Sequence, residues 1–413
     1  MIGLFHKHKL IIFGIAINIT FFISSISTKW YDFFLFSSSI HHCCQGLDFY
    51  QIPNGAYSFF HTGSLNGALL IGDSQYGFPS NLNVYHPFLT IILGSFFLLF
   101  SAEFSFYLWM ILKLIINLFI VIFIYKKFTH NQNLNFAIFF FLSNFYQYAD
   151  IRISQYQFLF NIFVLLFLVF LCEKRRQKTT AFLYFLALLV KPISLLFIPL
   201  LISGKYFKIL FYGLSLFFLT SAPFLVNSLG GYYIDNLKLN LSGYMPTQVD
   251  FMNLTALLHY FNIHEVLINL LKAFFLLIVV IISFIKKGEP IKAIYLAIVF
   301  FLLFYSSVYQ YHYSLIIPVA FIGILTNKDF QTKFSKALLI AISFPNLFFF
   351  FRAFNIGVIK NPILGMDPTL DLWSFVLFVQ ITSILLLTFS IFYIYNDIKR
   401  SRILGIVKRS LLV

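Results

Sequence analysis

Apolar residues fall in long runs, at about 10–27, 87–102, 104–125, 136–148, 155–172, 180–202, 207–225, 266–285, 292–308, 313–326, 337–351 and 373–395. A membrane-crossing helix needs about 20 mostly apolar residues, so the pattern predicts an all-α polytopic membrane protein with about 11–13 helical segments. Two runs do not fit a single crossing. The 87–102 run is short and is parted from the next by Ser101-Ala102-Glu103, so one of the two is re-entrant or lies against the outer surface. The 180–202 run carries Lys191-Pro192, where the chain must turn and come back.

Charge assigns the sides. The apolar runs are punctuated by basic clusters at Lys7/Lys9, Lys126-Lys127, Lys174 to Lys178, Lys205/Lys208, Lys286 to Lys292, Lys328 to Lys336 and Lys399 to Arg409. Basic residues are retained on the cytoplasmic side, so these clusters, 21 of the 29 Lys and Arg with four acids among them, make a cytoplasmic face of +17 holding both termini. The opposite face receives two long loops, 28–86 and 226–265, and nine of the 14 acids. The chain reads as one integral-membrane domain, 1–413. Residues 10–26 follow basic His6 to Lys9 without a small-x-small cleavage pattern, as expected of a retained signal-anchor helix.

Only 10% of the 413 residues are charged, against roughly 25% in soluble domains, which excludes a soluble enzyme, a disordered tail and a coiled coil. The net charge of +15 would point to nucleic acid in a soluble protein. Here it reports topology, and no nucleic-acid partner is expected. Phe-rich, Ala-poor usage fits an AT-rich bacterial genome.

Few polar residues remain for chemistry. Asp48 opens the first outer loop, just ahead of a short amphipathic stretch suited to the membrane surface. Such a carboxylate either caps the following helix or takes a proton from an attacking hydroxyl. Lys191 lies deep in an apolar run, where charge is costly; it either snorkels to the outer interface or meets an anionic ligand group. Arg152, His312 and Arg352 fall at outer ends of runs, where each pairs with a loop carboxylate or joins a basic ring suited to phosphate. His41, His42, His61 and His86 share the first loop with Asp73, but no metal-ligand spacing supports a metal site. Cys43, Cys44 and Cys172 provide no disulfide framework.

Taken in order, these motifs resemble the membrane-embedded C-type glycosyltransferases, in particular glycosyltransferase family 87, the polyprenyl-phosphate-mannose-dependent mannosyltransferases. The resemblance runs from Gly46-Leu-Asp48-Phe49-Tyr50 through Val84-Tyr85-His86-Pro87-Phe88, Leu108-Trp109, Ser154-Gln155 and Lys191-Pro192 to Asn253 and Tyr311-His312-Tyr313, covering roughly residues 5–320. It departs from the family where a tandem proline becomes His86-Pro87, Gly-Gln becomes Ser154-Gln155, and Ser-Trp becomes Tyr309-Gln310-Tyr311. The resemblance implies transfer of a hexose, mannose in that family, from a polyprenyl-phosphate sugar to a glycolipid or glycan hydroxyl. The reaction would take place on the extracytoplasmic face of the bacterial cytoplasmic membrane, without a cofactor. Asp48 would be the general base. Lys191, Arg152 and His312 would bind the donor phosphate, with Gln155, Tyr50, His86, Asn253 and Arg352 lining the substrate site.

A transporter or flippase of a lipid-linked or anionic substrate is the alternative. It would place ionisable residues near the midplane of several helices, and only Glu103, Lys113 and Lys191 fall within or between apolar runs. An O-antigen ligase or polymerase is a further rival; it would place its longest outer loop late in the chain, whereas here that loop comes first.

Overall fold

The computed structural model describes residues 2–26, 46, 48–63, 65, 83–149, 154–173, 176–226, 234, 253–285, 289–305, 308, 310–343 and 380–410. Among these, every regular element is helical. In chain order they are α1 (Ile2–Ile26), α2 (Gln51–Thr62), α3 (Pro87–Phe97), α4 (Ala102–Lys127), α5 (Leu134–Ser143), α6 (Phe145–Ala149), α7 (Gln157–Glu173), α8 (Gln177–Val190), α9 (Ile198–Ser203), α10 (Phe207–Val226), α11 (Leu254–Tyr260), α12 (Glu265–Ile285), α13 (Pro290–Phe304), α14 (Ile316–Thr326), α15 (Lys328–Gln331), α16 (Lys333–Ser343) and α17 (Ile381–Ser410). Short 3-10 stretches, Pro192–Phe197 and Gln310–Leu315, lead into α9 and α14.

Among the described residues, α4, α10 and α12 are long and apolar enough to cross a membrane. At about 1.5 Å per residue they rise roughly 39, 30 and 32 Å, against a hydrocarbon core of about 30 Å. Leu118 and Phe119 on α4, Phe218 and Leu219 on α10, and Leu270 and Phe274 on α12 are exposed. An outer surface of that kind is unfavourable in water and suits hydrocarbon. Shorter apolar helices fill the interior: α7, α13 and α14 carry buried residues on nearly every face.

Both irregular runs are broken by a change of direction. Helix α3, at 11 residues, rises about 16 Å and is too short to cross. The chain then turns at Leu98–Ser101, so that the Ser105 hydroxyl donates to Phe97 O at 2.8 Å and the Phe97 ring meets Trp109 edge-on. Gly94 lets α3 press on α2, since a Cβ there would lie 2.4 Å from Ala56 Cβ and 2.7 Å from Ile52 O.

The second break, at Lys191, folds the chain back. A residue before proline is driven out of the helical region, and Lys191 is extended, with φ −145° and ψ 125°. A continuous helix would set Ser194 about 15 Å along the axis from Tyr184. Instead the Tyr184 hydroxyl donates to Ser194 O at 3.3 Å, and the Phe167 ring packs on both Tyr184 and Phe197.

The folding-back separates polar groups to the two ends of the bundle. At one end Lys127 pairs with Glu173, Asn131 donates to Leu325 O, Lys336 donates to Asn133, and Lys292 lies 3.6 Å from Asp329. This gathers Lys127, Lys292 and Lys336, one from each of three basic clusters, at the same end. The other end collects the starts of α4 and α7, the close of α8 and the stretch leading into α14. Most of the two long loops, 28–86 and 226–265, lies outside the described residues; α2 and α11 are the helices described within them.

Candidate functional site

The site is organised by four consecutive residues, Ser154 to Gln157, where the chain enters α7. Ser154 has φ 59°, a left-handed conformation that costs a non-glycine residue about 1 kcal/mol or more. Its hydroxyl accepts from Lys113 Nζ at 3.3 Å and lies 3.8 Å from Met110 Sδ. Tyr156, fully buried, wedges the segment in place: its N–H donates to the Tyr85 hydroxyl, its own hydroxyl donates to Phe49 O at 3.0 Å, and its ring packs on Trp109.

With the segment so fixed, its two glutamines hold two opposite charges. Gln155 Nε2 donates to Asp48 Oδ2 at 2.6 Å, and Gln51 Nε2 donates to Asp48 Oδ1 at 2.6 Å. Asp48 is 4% exposed, and burying a carboxylate is tolerable because donors replace its water. Helix α2 takes Tyr50 as its N-cap, with no side-chain cap bond. The Asp48 carboxylate is thus held by two side-chain amides, one from α2 and one from the segment entering α7.

Gln157 serves the cation. Its Oε1 accepts from Lys191 Nζ at 2.6 Å, while its Nε2 donates to Tyr311 O at 2.8 Å and to Ser314 Oγ at 2.6 Å. Lys191 is half-buried at its helix break. The first turn of α7 begins at this end of the bundle, so its helix dipole adds partial positive charge there.

The other sequence candidates divide. His312, buried, stacks beside Tyr311 and faces the Phe301 ring, next to the carbonyl that Gln157 grips. His86 is the N-cap of α3: Nδ1 accepts from Phe88 N at 3.1 Å, so the proton sits on Nε2, which donates to Ser221 Oγ at 2.8 Å. Burial holds this imidazole neutral, pushing its pKa down to about 3. Asn253 caps α11, accepting from Ala256 N and donating to Tyr305 O. Tyr50 donates to Ala102 O. These three make the frame around the site and spend these polar atoms on it. Arg152 and Arg352 lie outside the described residues.

Sequence reasoning did not single out Gln51, Gln157, Ser314 or Tyr156, and noted Lys113 only as a charge within an apolar run. Lys113 is buried in α4, 5.3 Å from the Trp109 ring centre and 5.9 Å from that of Phe158, where cation–π attraction offsets part of its desolvation. Its position inside an apolar run was the available signal.

In chemical terms, the end of the bundle opposite Lys127, Lys292 and Lys336 carries a buried carboxylate held by Gln155, an ammonium group held by Gln157, and the start of α7. Comparison of the chain with protein-family models gives no match, and comparison with curated proteins gives none either.

Proposed function

We propose that the protein is a hexosyltransferase that moves a sugar from a polyprenyl-phosphate donor to an acceptor hydroxyl. The observation that carries this reading is the pairing on one turn: Gln155 orients the Asp48 carboxylate, and Gln157 orients the Lys191 ammonium. A general base must lie within hydrogen-bond reach of the proton it takes, and fixed positive charge acts most strongly where a phosphate leaves in a low-dielectric site.

In this reading the acceptor hydroxyl gives its proton to Asp48 as its oxygen bonds to the anomeric carbon. The bond from that carbon to the phosphate oxygen breaks in the same displacement. The lipid phosphate departs with the electron pair and one more negative charge, which Lys191 and the first turn of α7 offset. By the resemblance, His312, Arg152 and Arg352 would also bind the donor. The sugar is mannose by the resemblance.

The chain is polytopic in a bacterial cytoplasmic membrane. In this reading the site faces outward, since Lys127, Lys292 and Lys336 lie at the other end of the bundle and basic residues are retained on the cytoplasmic side. Mass spectrometry of lipid extracted from the purified protein tests the donor class. A polyprenyl phosphate or its mono-glycosylated form is expected, and exclusive recovery of bulk phospholipid would count against it.

A second reading, transport of a lipid-linked or anionic substrate, draws on one set of observations: the helix breaks at Leu98–Ser101 and Lys191, with Lys113 buried inside α4. Discontinuous helices and intramembrane charge also mark transporters. The two readings part on whether a glycosidic bond is made.

A further inference from the structure

Below Gln157, inside the bundle, a cavity of about 20 Å³ is lined by Asn117 of α4, Gln147 of α6, Asn161 of α7 and Ser314, with apolar walls that include Phe141 and Phe158. Its polar groups do not balance among themselves. Asn117 Oδ1 and Asn161 Oδ1 are buried acceptors with no hydrogen-bond donor among the described residues, and both side chains are 8% exposed. Ser314 Oγ accepts twice, from Gln157 Nε2 at 2.6 Å and from Asn161 Nδ2 at 3.1 Å. A hydroxyl has two lone pairs and one proton. With both lone pairs engaged, the Ser314 proton has to be donated, and no acceptor for it is found among the described residues. Two acceptors and one donor therefore meet at one cavity.

We infer that this cavity is a binding site for a single water molecule that completes the network holding Lys191. A water accepting from Ser314 and donating to Asn117 Oδ1 and Asn161 Oδ1 makes three hydrogen bonds, the usual number for a buried water, and roughly 10–15 Å³ is enough room for one. A monovalent cation fits less well. It would need lone pairs from Ser314 that two N–H groups already occupy, and it would leave the hydroxyl proton without an acceptor.

The site has a consequence for Lys191. Water fixes the Ser314 rotor; Ser314 and Tyr311 O fix Gln157 Nε2; and that leaves Gln157 Oε1 facing the ammonium. The water thus helps set which atom Lys191 meets, whatever reaction the site performs.

The test is a density map of the full chain in lipid nanodiscs, at a resolution that shows ordered water, prepared once in sodium salt and once in choline salt. One peak within hydrogen-bond distance of Ser314 Oγ, Asn117 Oδ1 and Asn161 Oδ1, present in both salts, is expected. A cavity without a peak, or a peak lost when sodium is withdrawn, would overturn the inference. In Ser314→Ala the peak should disappear, and its persistence at the same place would overturn the assignment of Ser314 as donor. If that variant does not fold, the wild-type maps decide alone. None of these outcomes depends on the transferase reading.

Discussion

Asp48→Asn separates the chemistry of the site from its architecture. The carboxylate accepts one N–H from Gln51 and one from Gln155, each at 2.6 Å. Hydrogen bonds to charged groups contribute about 1.5–3 kcal/mol each, so Asp48→Ala, which removes both acceptors and leaves two buried donors, should cost on the order of 3–6 kcal/mol. Asp48→Asn should cost much less. Its amide has one oxygen to keep the bond from Gln155 and one NH2 that faces Gln51. The Gln51 Oε1 atom is buried with no hydrogen-bond partner among the described residues. Rotating the Gln51 amide by half a turn therefore presents that oxygen to the new N–H and sacrifices no described bond.

The expected cost is under about 2 kcal/mol, within the range of ordinary point mutants. Removal of a general base typically slows a reaction about 10²- to 10⁴-fold. In liposomes supplied with a polyprenyl-phosphate sugar and an acceptor glycolipid, Asp48→Asn should melt within a few degrees of wild type while product formation falls by at least about 100-fold. Turnover near wild type would refute the base role. A collapse in melting temperature as large as that of Asp48→Ala would refute the amide-rotation argument.

Other perturbations probe the frame. Lys191→Met removes the ammonium held on Gln157; a lost charge-assisted contact of about 1.5–3 kcal/mol corresponds to a donor KM raised roughly 10- to 100-fold, and unchanged donor affinity would rule out its phosphate role. Gly94→Val drives a side chain into Ala56 and the Ile52 carbonyl and should destabilise by about 1–3 kcal/mol through overpacking, read as a lower melting temperature; an unaltered melting curve would contradict the close α2–α3 contact. His86 lies ahead of α3, outside the three helices long and apolar enough to cross a membrane, and carries a pH dependence. Its unfolded imidazole titrates near 6.5 and its folded one near 3. The unfolded chain therefore binds more protons between those values, so the stabilisation is complete above about 6.5 and is lost as pH falls toward 3. His86→Asn keeps an N-capping side chain and should flatten the drop in melting temperature between pH 7 and pH 5; an identical pH profile would show that His86 does not cause it.

The parts of this structure that could be read from sequence are those set by local chemistry. Helix breaks at Ser101 and at Lys191-Pro192 follow from polar and proline residues interrupting apolar runs, and helices end at both in the structure. Asp48 stood out as a carboxylate ahead of an amphipathic stretch, and α2 follows it. What could not be read depends on pairings between distant segments. Gln157 looks like one more residue in an apolar run, and its importance appears only when α8 brings Lys191 and the stretch before α14 brings Ser314. Ser154 gives no local sign of left-handed backbone, since no glycine marks it; packing around Tyr156 and the hydroxyl contact to Lys113 hold it there. His86 and Asn253 line the substrate site by the resemblance alone; in the structure each caps a helix, a use that depends on where α3 and α11 begin.

The most direct test of the central claim is the fate of a labelled donor. Wild-type protein in sealed liposomes is given polyprenyl-phosphate mannose, labelled in the sugar, together with acceptor lipids, and the products are separated. The account predicts that label moves into a new glycoside while an equal amount of free polyprenyl phosphate is released. Label that crosses the bilayer still attached to its original lipid, with no glycoside formed, would contradict it and leave transport as the better description.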